Sequence, residues 1–358
     1  MTTPQRLRRA GLAAAAALVI GGSGVAIGAA ATDSSASGTT AAATATATPG
    51  PATPGPASYA SVVRQVLPSV VLIRTESGLG SGVVLDRSGN IVTNAHVAGN
   101  ATKFQVQVAG DTAPRSARLV GTYPPDDLAV IRADNPAGLQ PATFGDSDKV
   151  QAGDVVLAIG NPLGLSGSVT QGIISATDRA VTEPSEDGSP AATLPGAIQT
   201  SAPINPGNSG GALVSTSGQV VGIPTLAAGS PQGGGQAQGI GFAIASNLAR
   251  DIATQIIDTG HVTNSHRAAL GAEVATVLGA DGSTGGVGVV TVTSGGGAER
   301  AGLRPGDVIT SVGSAQTPDT TALTQALAAA KPGDKVTVTI SRAGQDQDVQ
   351  VTLGELGG

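Results

Sequence analysis

A serine lies among small residues in the stretch INPGNSGGAL, residues 204–213. Such a stretch fits three kinds of site: a plain surface turn, a loop that presents a nucleophile, or a loop that wraps a phosphate group. Turns are the commonest context, because Gly, Asn and Ser tolerate unusual dihedrals and form local hydrogen bonds. The phosphate alternative lacks the Lys that such glycine loops carry. Whether Ser209 is a nucleophile therefore depends on the rest of the chain.

The pattern G-x-S-x-G at residues 207–211 also matches the nucleophile elbow of the α/β hydrolases. That elbow needs an apolar strand before the serine and a helix after it, whereas PINPGN precedes Ser209 and GALVSTSGQVV follows it. The elbow also places the catalytic histidine last in the chain. The histidines after Ser209 are His261 and His266, in a polar segment between two patterned regions. The sequence therefore disfavours an α/β hydrolase.

A serine nucleophile needs a base and a carboxylate that orients the base. His96 is the only histidine before Ser209, and Asp126 and Asp127 precede the apolar run LAVI. Each signal is weak alone, because a lone histidine is usually structural and an acid before a strand is usually a solvated turn residue. Their order, histidine then aspartate then serine, is that of the chymotrypsin-like proteases. This order favours a catalytic role for all three residue types.

Composition excludes several other classes of protein. The chain of 358 residues has a net charge of −6, and it shows no basic face for nucleic acid. It contains no Cys and only 3 His, which argues against disulfides, thiolate catalysis and metal sites. We therefore expect no metal and no cofactor. With 53 Gly, 22 Pro and only 5 Phe and Tyr together, the sequence favours short strands around aliphatic cores.

The first 58 residues do not resemble a folded domain. A positively charged stretch up to Arg9 precedes the uncharged segment 10–32, which fits an export signal with small residues near its end. As a helix this segment would reach ~35 Å, enough to anchor the protein in a bilayer. Residues 33–58 are small, polar or proline and predict a disordered linker. We expect residues 1–32 to be a signal peptide or membrane anchor, and the protein to be secreted or held at the cell envelope.

Residues 59–262 predict a first, mainly β domain. Short apolar runs bounded by Gly, Pro or Asp recur along it, without the strand–helix alternation of a parallel α/β fold. VLPSVVLIRT predicts its first strand, and SGVVLDRSGNIVTNAHV predicts a hairpin that ends at His96. SNLARDIATQIIDTG predicts a closing helix, because apolar residues recur every four positions, with Ser246 as its cap and Gly260 at its end.

Residues 268–356 predict a second, smaller α+β domain. GVGVVTVT and PGDVITSVG predict strands, AERAGL predicts a helical turn, and DTTALTQALAAA predicts a helix. KVTVTISRAGQDQDVQVTL then predicts a hairpin with one apolar side. A stretch of about 90 residues of this kind makes a compact domain.

Five stretches, in order, resemble the HtrA/Deg serine proteases, which are bacterial members of the chymotrypsin-like clan. They are TNAHV (93–97), DLAVI (127–131), GNPLGLSGSVTQGIIS (160–175), IQTSAPINPGNSGGALV (198–214) and GIGFAI (239–244). GLRPGDVITSVG (302–313) resembles the PDZ domain that follows in that family. The resemblance covers residues 59–356. It implies a mainly β chain, with a chymotrypsin-like double β-barrel protease domain followed by a smaller α+β PDZ domain.

Taken one position at a time, the resemblance implies a role for each candidate residue. His96 is the base, Asp127 is the carboxylate that orients it, and Ser209 is the nucleophile. Gly207, Asn208 and Ser209 form the oxyanion loop, with the N–H groups of Gly207 and Ser209 as donors. Asp126 is then a neighbour without a catalytic role.

The resemblance also implies partners. Polypeptides are the substrates, and because residues 201–204 contain no acid, a pocket for small or aliphatic side chains is favoured over one for Lys or Arg. The PDZ domain binds the C-termini of peptides, with Leu270, Gly271 and Ala272 as the expected contacts. The family favours homotrimers built through the start of the protease domain.

We therefore expect an exported serine endopeptidase that cuts misfolded or specific envelope proteins through an acyl-enzyme intermediate. Peptide binding to the PDZ domain is expected to modulate it. The alternative is a chaperone-like or peptide-binding protein whose protease fold is inert.

Overall fold

The computed structural model of the protein describes residues 58–357, with gaps at 77, 112, 162–166, 184–191, 206, 230–235 and 280–281. All described residues belong to one compact unit. The expected export segment, 1–32, and all but the last residue of the linker, 33–58, lie outside the described residues. Of the helices in the described part, none combines the length and apolar character needed to cross a bilayer.

The first domain begins with a six-stranded antiparallel β-barrel. Its side chains alternate between core and surface, as in KFQVQV, where Phe104, Val106 and Val108 are buried and the residues between them are not. The strands pair around the barrel in the order β1-β2-β3-β6-β5-β4. They are β1 (Val70–Arg74), β2 (Leu79–Val84), β3 (Asn90–Thr93), β4 (Lys103–Val108), β5 (Arg115–Tyr123) and β6 (Leu128–Ala133).

A second closed barrel follows, with the strand order β10-β11-β12-β9-β8-β7. One buried cluster contains residues of both barrels, including Val83 and Leu128 from the first and Ile159 and Val214 from the second. The barrels are therefore packed against a common aliphatic core. The strands are β7 (Val155–Gly160), β8 (Ser168–Glu183), β9 (Ala192–Thr200), β10 (Ala212–Ser215), β11 (Val220–Gly229) and β12 (Gln236–Ala245).

Helical segments frame the barrels. They are the α-helices α1 (Tyr59–Val66), α2 (Ala95–Ala98) and α3 (Ser246–Thr259), and the 3₁₀ turns Leu67–Ser69, Pro124–Asp126 and Ser147–Lys149. The stretch VLPSVVLIRT is therefore only partly the strand that the sequence predicts. Pro68 lies in a 3₁₀ turn, because it has no N–H to give to a sheet, and the strand begins at Val70.

The closing helix α3 has the predicted bounds, but Ser246 has a different role from the predicted one. It is the first helical residue rather than the cap, and its hydroxyl donates to the Gly145 carbonyl at 3.0 Å. Gly260 ends the helix in a left-handed conformation, with φ 82°, and its N–H donates to the Ile256 carbonyl.

The second domain is a small α+β fold built on an antiparallel sheet. The main sheet has the order β14-β15-β16-β18-β19, with β17 paired to β16, and β13 pairs separately with β20. The predicted hairpin is confirmed, with Val336 opposite Val351 and Val338 opposite Val349. The elements are β13 (Ala268–Ala269), β14 (Ala272–Leu278), β15 (Thr284–Val292), α4 (Gly297–Arg300), β16 (Val308–Val312), β17 (Ala315–Gln316), α5 (Thr320–Ala328), β18 (Lys335–Arg342), β19 (Gln345–Thr352) and β20 (Gly354–Glu355).

A buried ion pair joins the two domains. The guanidinium of Arg267, one residue before β13, donates to Asp126 Oδ1 at 2.9 Å and to the carbonyl of Pro125. The Asp126 side chain has no exposed surface and that of Arg267 is 9% exposed. The chain that enters the second domain is thus fixed to the 3₁₀ turn before β6.

Candidate active site

One carboxylate holds His96 in place. The strand β3 ends at Thr93 and the short helix α2 starts at Ala95, so His96 lies on a helical turn rather than at the end of a strand. Its backbone N–H donates to Asp127 Oδ1 at 2.9 Å, and its Nδ1 lies 2.8 Å from Asp127 Oδ2. Two bonds to the same carboxylate fix the ring plane and favour the tautomer with the proton on Nδ1.

The turn before β6 positions Asp127. The 3₁₀ turn Pro124–Asp126 ends at Asp127, which has a left-handed backbone with φ 51°. Aspartate is one of the few residues with a side chain that adopts this conformation readily. The Asp127 carbonyl accepts from the Ala95 N–H at 3.0 Å and from Asn94 Nδ2 at 3.1 Å. The histidine and aspartate segments are therefore held together through backbone as well as side chains.

Thr225, on β11, connects the carboxylate to the serine. Its hydroxyl donates to Asp127 Oδ2 at 2.5 Å, and its carbonyl accepts from Ser209 Oγ at 3.0 Å. Thr225 is buried, so the bond to Asp127 is shielded from water. No local sequence pattern singles out Thr225. Its two partners are 98 and 16 residues away along the chain, and only its place directly after GIP in the second barrel could have drawn attention to it.

The backbone amides of the loop around Ser209 differ in whether they have a hydrogen-bond partner among the described residues. The Asn208 N–H donates to the Asn205 carbonyl at 3.0 Å, and the Asn208 carbonyl accepts from the Gly211 N–H at 2.9 Å. Among the described residues, the N–H groups of Gly207 and Ser209 have no hydrogen-bond partner. Unpaired backbone donors beside a serine hydroxyl are what an oxyanion hole requires.

Three glycines let this loop pack closely between the barrels. A Cβ on Gly160 would lie 2.6 Å from the Gly207 carbonyl oxygen, and one on Gly211 would overlap the Ile159 carbonyl. Gly210 has φ 77°, and a Cβ there would overlap the Ser81 carbonyl. The Gly210 N–H donates to the Pro224 carbonyl at 2.9 Å. Pro224 therefore helps to hold the loop.

The segment that precedes the nucleophile loop packs into an apolar cluster. Ala202 and Ile204 are buried in a cluster with Ala243 and Val221 of the second barrel. A Cβ on Gly241 would lie 2.5 Å from Ile204 Cγ1, so the two residues are in close contact.

In the second domain, hydrogen bonds hold the predicted peptide-binding loop. The Leu270 carbonyl accepts from the Ala298 N–H at 2.7 Å, and the Gly271 carbonyl accepts from the Thr293 N–H at 2.8 Å. Gly271 has φ 76°, a conformation that suits glycine. In a trans peptide the N–H points opposite to the carbonyl, so the Gly271 N–H is directed away from Ala298 and the Ala272 N–H away from Thr293.

A cavity of about 290 Å³ lies at this loop. Ala272 and Val274 of β14 line one side, and Leu323 and Leu327 of α5 line another. The protease-like domain adds Pro124, Pro125 and Pro195 to the wall of the same cavity. Of the predicted peptide-binding residues, Leu270 and Ala272 line this cavity and Gly271 lies between them in the chain.

Comparison with known proteins agrees with this arrangement. Residues 80–223 match the family of trypsin-like peptidase domains, and residues 263–353 match the PDZ domain family. The serine protease PepD of Mycobacterium tuberculosis is 40% identical over 83% of the chain and 66% of its own length. The periplasmic pH-dependent serine endoprotease DegQ of Escherichia coli is 35% identical over 83% of the chain and 70% of its own length.

Solved structures give the same result. The HtrA-type protease AlgW, solved with a decapeptide, is 34% identical and covers 84% of this chain and 99% of its own, with a TM-score of 0.55. The serine endoprotease from Yersinia pestis is 35% identical over 84% of this chain and 99% of its own, with a TM-score of 0.54. The chain belongs to the HtrA family of serine proteases. The fold prediction, a trypsin-like domain followed by a PDZ domain, is confirmed.

As an HtrA protein, the chain is a serine-type endopeptidase with a PDZ domain that binds peptides. The periplasmic serine endoprotease DegP of Escherichia coli, 38% identical over 77% of this chain, is matched over only 56% of its own length. Some HtrA relatives are therefore considerably longer than the aligned region.

Asp126 differs from the solvated neighbour that the sequence predicts. It is fully buried, and burial raises the pKa of its carboxyl to about 6, although the charge and hydrogen bond of Arg267 oppose this rise. The sequence could not show this environment, because Arg267 lies 141 residues downstream. In this HtrA protein, the adjacent aspartates thus bind different partners. Asp127 binds His96, and Asp126 binds Arg267 at the domain junction.

Proposed function

We propose that this HtrA protein is an exported endopeptidase that uses His96, Asp127 and Ser209 as its catalytic triad. One observation carries the proposal: a hydrogen-bonded path runs from the His96 ring through Asp127 and Thr225 to the Ser209 hydroxyl, beside two unpaired amides. A structural histidine does not need such a path, and a surface turn does not need backbone donors held beside a serine hydroxyl.

The chemistry follows from these contacts. The Ser209 hydroxyl attacks the substrate carbonyl while Nε2 of His96 accepts its proton, and Asp127 stabilises the resulting imidazolium. The N–H groups of Gly207 and Ser209 donate to the oxyanion of the tetrahedral intermediate. His96 then protonates the leaving amine, which leaves an acyl-enzyme on Ser209. A water, activated by the same histidine, hydrolyses the ester.

The cavity at the domain junction supports modulation by peptides. A peptide C-terminus that adds a strand to β14 would place its carboxylate at the N–H groups around Leu270, Gly271 and Ala272. The same peptide would contact Pro124 and Pro125, in the turn that ends at Asp127. Occupation of the PDZ groove therefore acts next to the catalytic carboxylate.

The proposal also covers the cut-site preference and the location of the protein. The residues that lead into the nucleophile loop, 201–204, include no acid that could pair with Lys or Arg, which favours small or aliphatic side chains at the cut site. DegQ and DegP are named as periplasmic, and this agrees with export by residues 1–32 and with misfolded or specific envelope proteins as substrates. N-terminal sequencing of the exported protein tests removal of that segment.

A homotrimer that forms through the start of the protease domain, where Tyr59 is 43% exposed, is tested by light scattering.

Casein cleavage by the wild type and two variants tests the activity. We expect Ser209→Ala to abolish cleavage and Ser217→Ala, at an exposed serine in the β10–β11 turn, to retain it. A fluorophosphonate should label the wild type and not Ser209→Ala. An inert wild type in both assays, even with PDZ-binding peptides, would refute the enzymatic proposal and leave the chaperone-like or peptide-binding alternative.

A further inference from the structure

Ser81 lies on β2 at the contact between the two barrels, and its side chain has no exposed surface. Its hydroxyl donates to the Gly207 carbonyl at 2.6 Å and accepts from the Asn161 N–H at 2.8 Å. Its N–H donates to the Ser209 carbonyl at 2.9 Å, and its own carbonyl accepts from Thr93 Oγ1 at 2.7 Å. Every polar group of Ser81 is therefore engaged, and two of its bonds reach the nucleophile loop.

These two bonds fix the Gly207–Asn208 and Ser209–Gly210 peptides, which flank the peptide that carries the Ser209 N–H. The Gly207 and Ser209 carbonyls both face the first barrel, where Ser81 binds them. Between them, the Asn208 carbonyl is directed to Gly211, so the Ser209 N–H in the same trans peptide is directed the opposite way. A rotation of the Gly207–Asn208 peptide would break the Ser81 hydroxyl bond and the Asn208–Asn205 bond together.

The close packing leaves little room for a substitute donor. The Gly207 carbonyl lies against Gly160, and Gly210 lies against the Ser81 carbonyl, so tightly that neither glycine has space for a Cβ. A buried carbonyl that loses its donor favours another conformation in which it is hydrogen-bonded. Here that conformation requires the loop to rotate.

We propose that Ser81 is a positioning residue of the oxyanion hole, whose hydroxyl and N–H hold the loop so that the Gly207 and Ser209 amides face the substrate carbonyl. The inference rests on the proposed catalytic function of that loop. It assigns to the first barrel, which supplies His96 and Asp127, a part in building the anion site of the second.

The test compares Ser81→Ala with Ser246→Ala. Ser246 is an equally buried serine whose hydroxyl also donates to a backbone carbonyl, that of Gly145, but it lies at the start of α3. For each variant we would measure kcat and KM on a peptide substrate, and Ki for a peptide aldehyde. The aldehyde forms a hemiacetal with Ser209, whose oxygen occupies the oxyanion hole.

For Ser81→Ala we expect kcat to fall by about 10- to 100-fold, somewhat less than for the loss of an oxyanion donor itself. Ki for the aldehyde should rise by a similar factor, while KM changes less than about twofold, because ground-state binding is unaffected. Ser246→Ala should keep kcat and Ki close to those of the wild type. Ser81→Cys, with a weak thiol donor, should be intermediate.

Three results would overturn the proposal: a folded Ser81→Ala or Ser81→Cys protein with wild-type kcat, a lower kcat with unchanged Ki, or an equal loss in Ser246→Ala. If Ser81→Ala does not fold, as judged by circular dichroism, Ser81→Cys alone decides between these outcomes. Failure of the wild type to cleave casein or react with the fluorophosphonate would refute the proposed function itself. An active wild type with unaffected Ser81 variants would refute only the assignment of Ser81.

Discussion

Replacing Arg267 by Met should destabilise the protein in a manner that depends on pH. The change keeps the length and apolar character of the side chain and removes the charge that pairs with Asp126. Breaking a buried ion pair by removing one partner costs about 3–5 kcal/mol, because the other charge remains buried. We therefore expect Arg267→Met to lower the free energy of unfolding by about 3–5 kcal/mol at pH 8.

The pKa of Asp126 sets the pH window. Because the folded state holds the proton more tightly than the unfolded chain, wild-type stability should fall by ~3 kcal/mol as pH rises from below 3.8 to above 6. Arg267 lowers this pKa through its charge and hydrogen bond, so the Arg267→Met substitution raises the pKa of Asp126 further. In the variant, stability should continue to fall above pH 6, by up to ~1.4 kcal/mol per pH unit. At pH 5, where Asp126 is protonated in both proteins, the difference should shrink to ~1 kcal/mol for the lost bond to Pro125.

Urea unfolding between pH 5 and pH 8, followed by far-ultraviolet circular dichroism, measures this difference. Tyr123, His266 and Glu355 are the other titratable groups around the pair, so both proteins are compared in a His266→Asn background. Arg118→Met is the control, because its pair with Asp134 is 3.7 Å long and both side chains are 56% exposed. An exposed pair of this kind contributes ~0–1 kcal/mol. A loss in Arg267→Met that is the same at every pH, or no larger than that of Arg118→Met, would refute the reasoning.

Three further substitutions test the proposed triad and the predicted peptide-binding loop. Asp127→Asn should lower kcat by about 10⁴-fold with the fold intact, as judged by unfolding midpoint, because the amide favours the wrong histidine tautomer. Thr225→Val removes the donor to Asp127 and should lower kcat about 10- to 100-fold, whereas a wild-type rate would mean that this bond is dispensable. Gly271→Ala strains a residue at φ 76° and brings a Cβ to 3.2 Å from Gly296 Cα. It should abolish anisotropy-detected binding of a peptide with a free C-terminus, while Gly282→Ala, at a similar φ of 79° in open space, should not.

Local patterns in the sequence predicted most of the fold. Alternation such as that of KFQVQV predicts strands because burial on one face repeats every two residues, and the four-residue period of α3 predicts its helix. The first strand was predicted too early, since Pro68 breaks the apolar run VLPSVVLIRT without changing its hydrophobicity. His96 was expected at the end of a hairpin, and it lies instead on the turn of α2, which is too short to show a period.

The parts of the site that the sequence did not reveal are those made by distant segments. Thr225 and Ser81 look like ordinary strand residues, and nothing local distinguishes them from other small polar residues. Their roles come from closure of two barrels against each other, which brings β2 and β11 to opposite sides of the nucleophile loop. The order of His96, Asp127 and Ser209 along the chain was enough to suggest a triad, because a triad requires a histidine, an acid and a serine in a set order. A threonine or serine that only forms a hydrogen bond has no such requirement for other residue types.

Asp126 and Asp127 show how one turn separates two functions. In an ordinary extended strand, adjacent side chains already point to opposite faces, but both would then lie within the same barrel wall. Here the 3₁₀ turn ends in a left-handed residue, which reverses the chain before β6 and directs Asp127 to His96 while Asp126 faces Arg267. A single peptide bond consequently separates the residue at the junction with the PDZ domain from the carboxylate that binds His96. Asp126 and Asp127 share one peptide group, so a displacement of Asp126 by Arg267 acts on the backbone of the residue whose carboxylate binds the His96 ring.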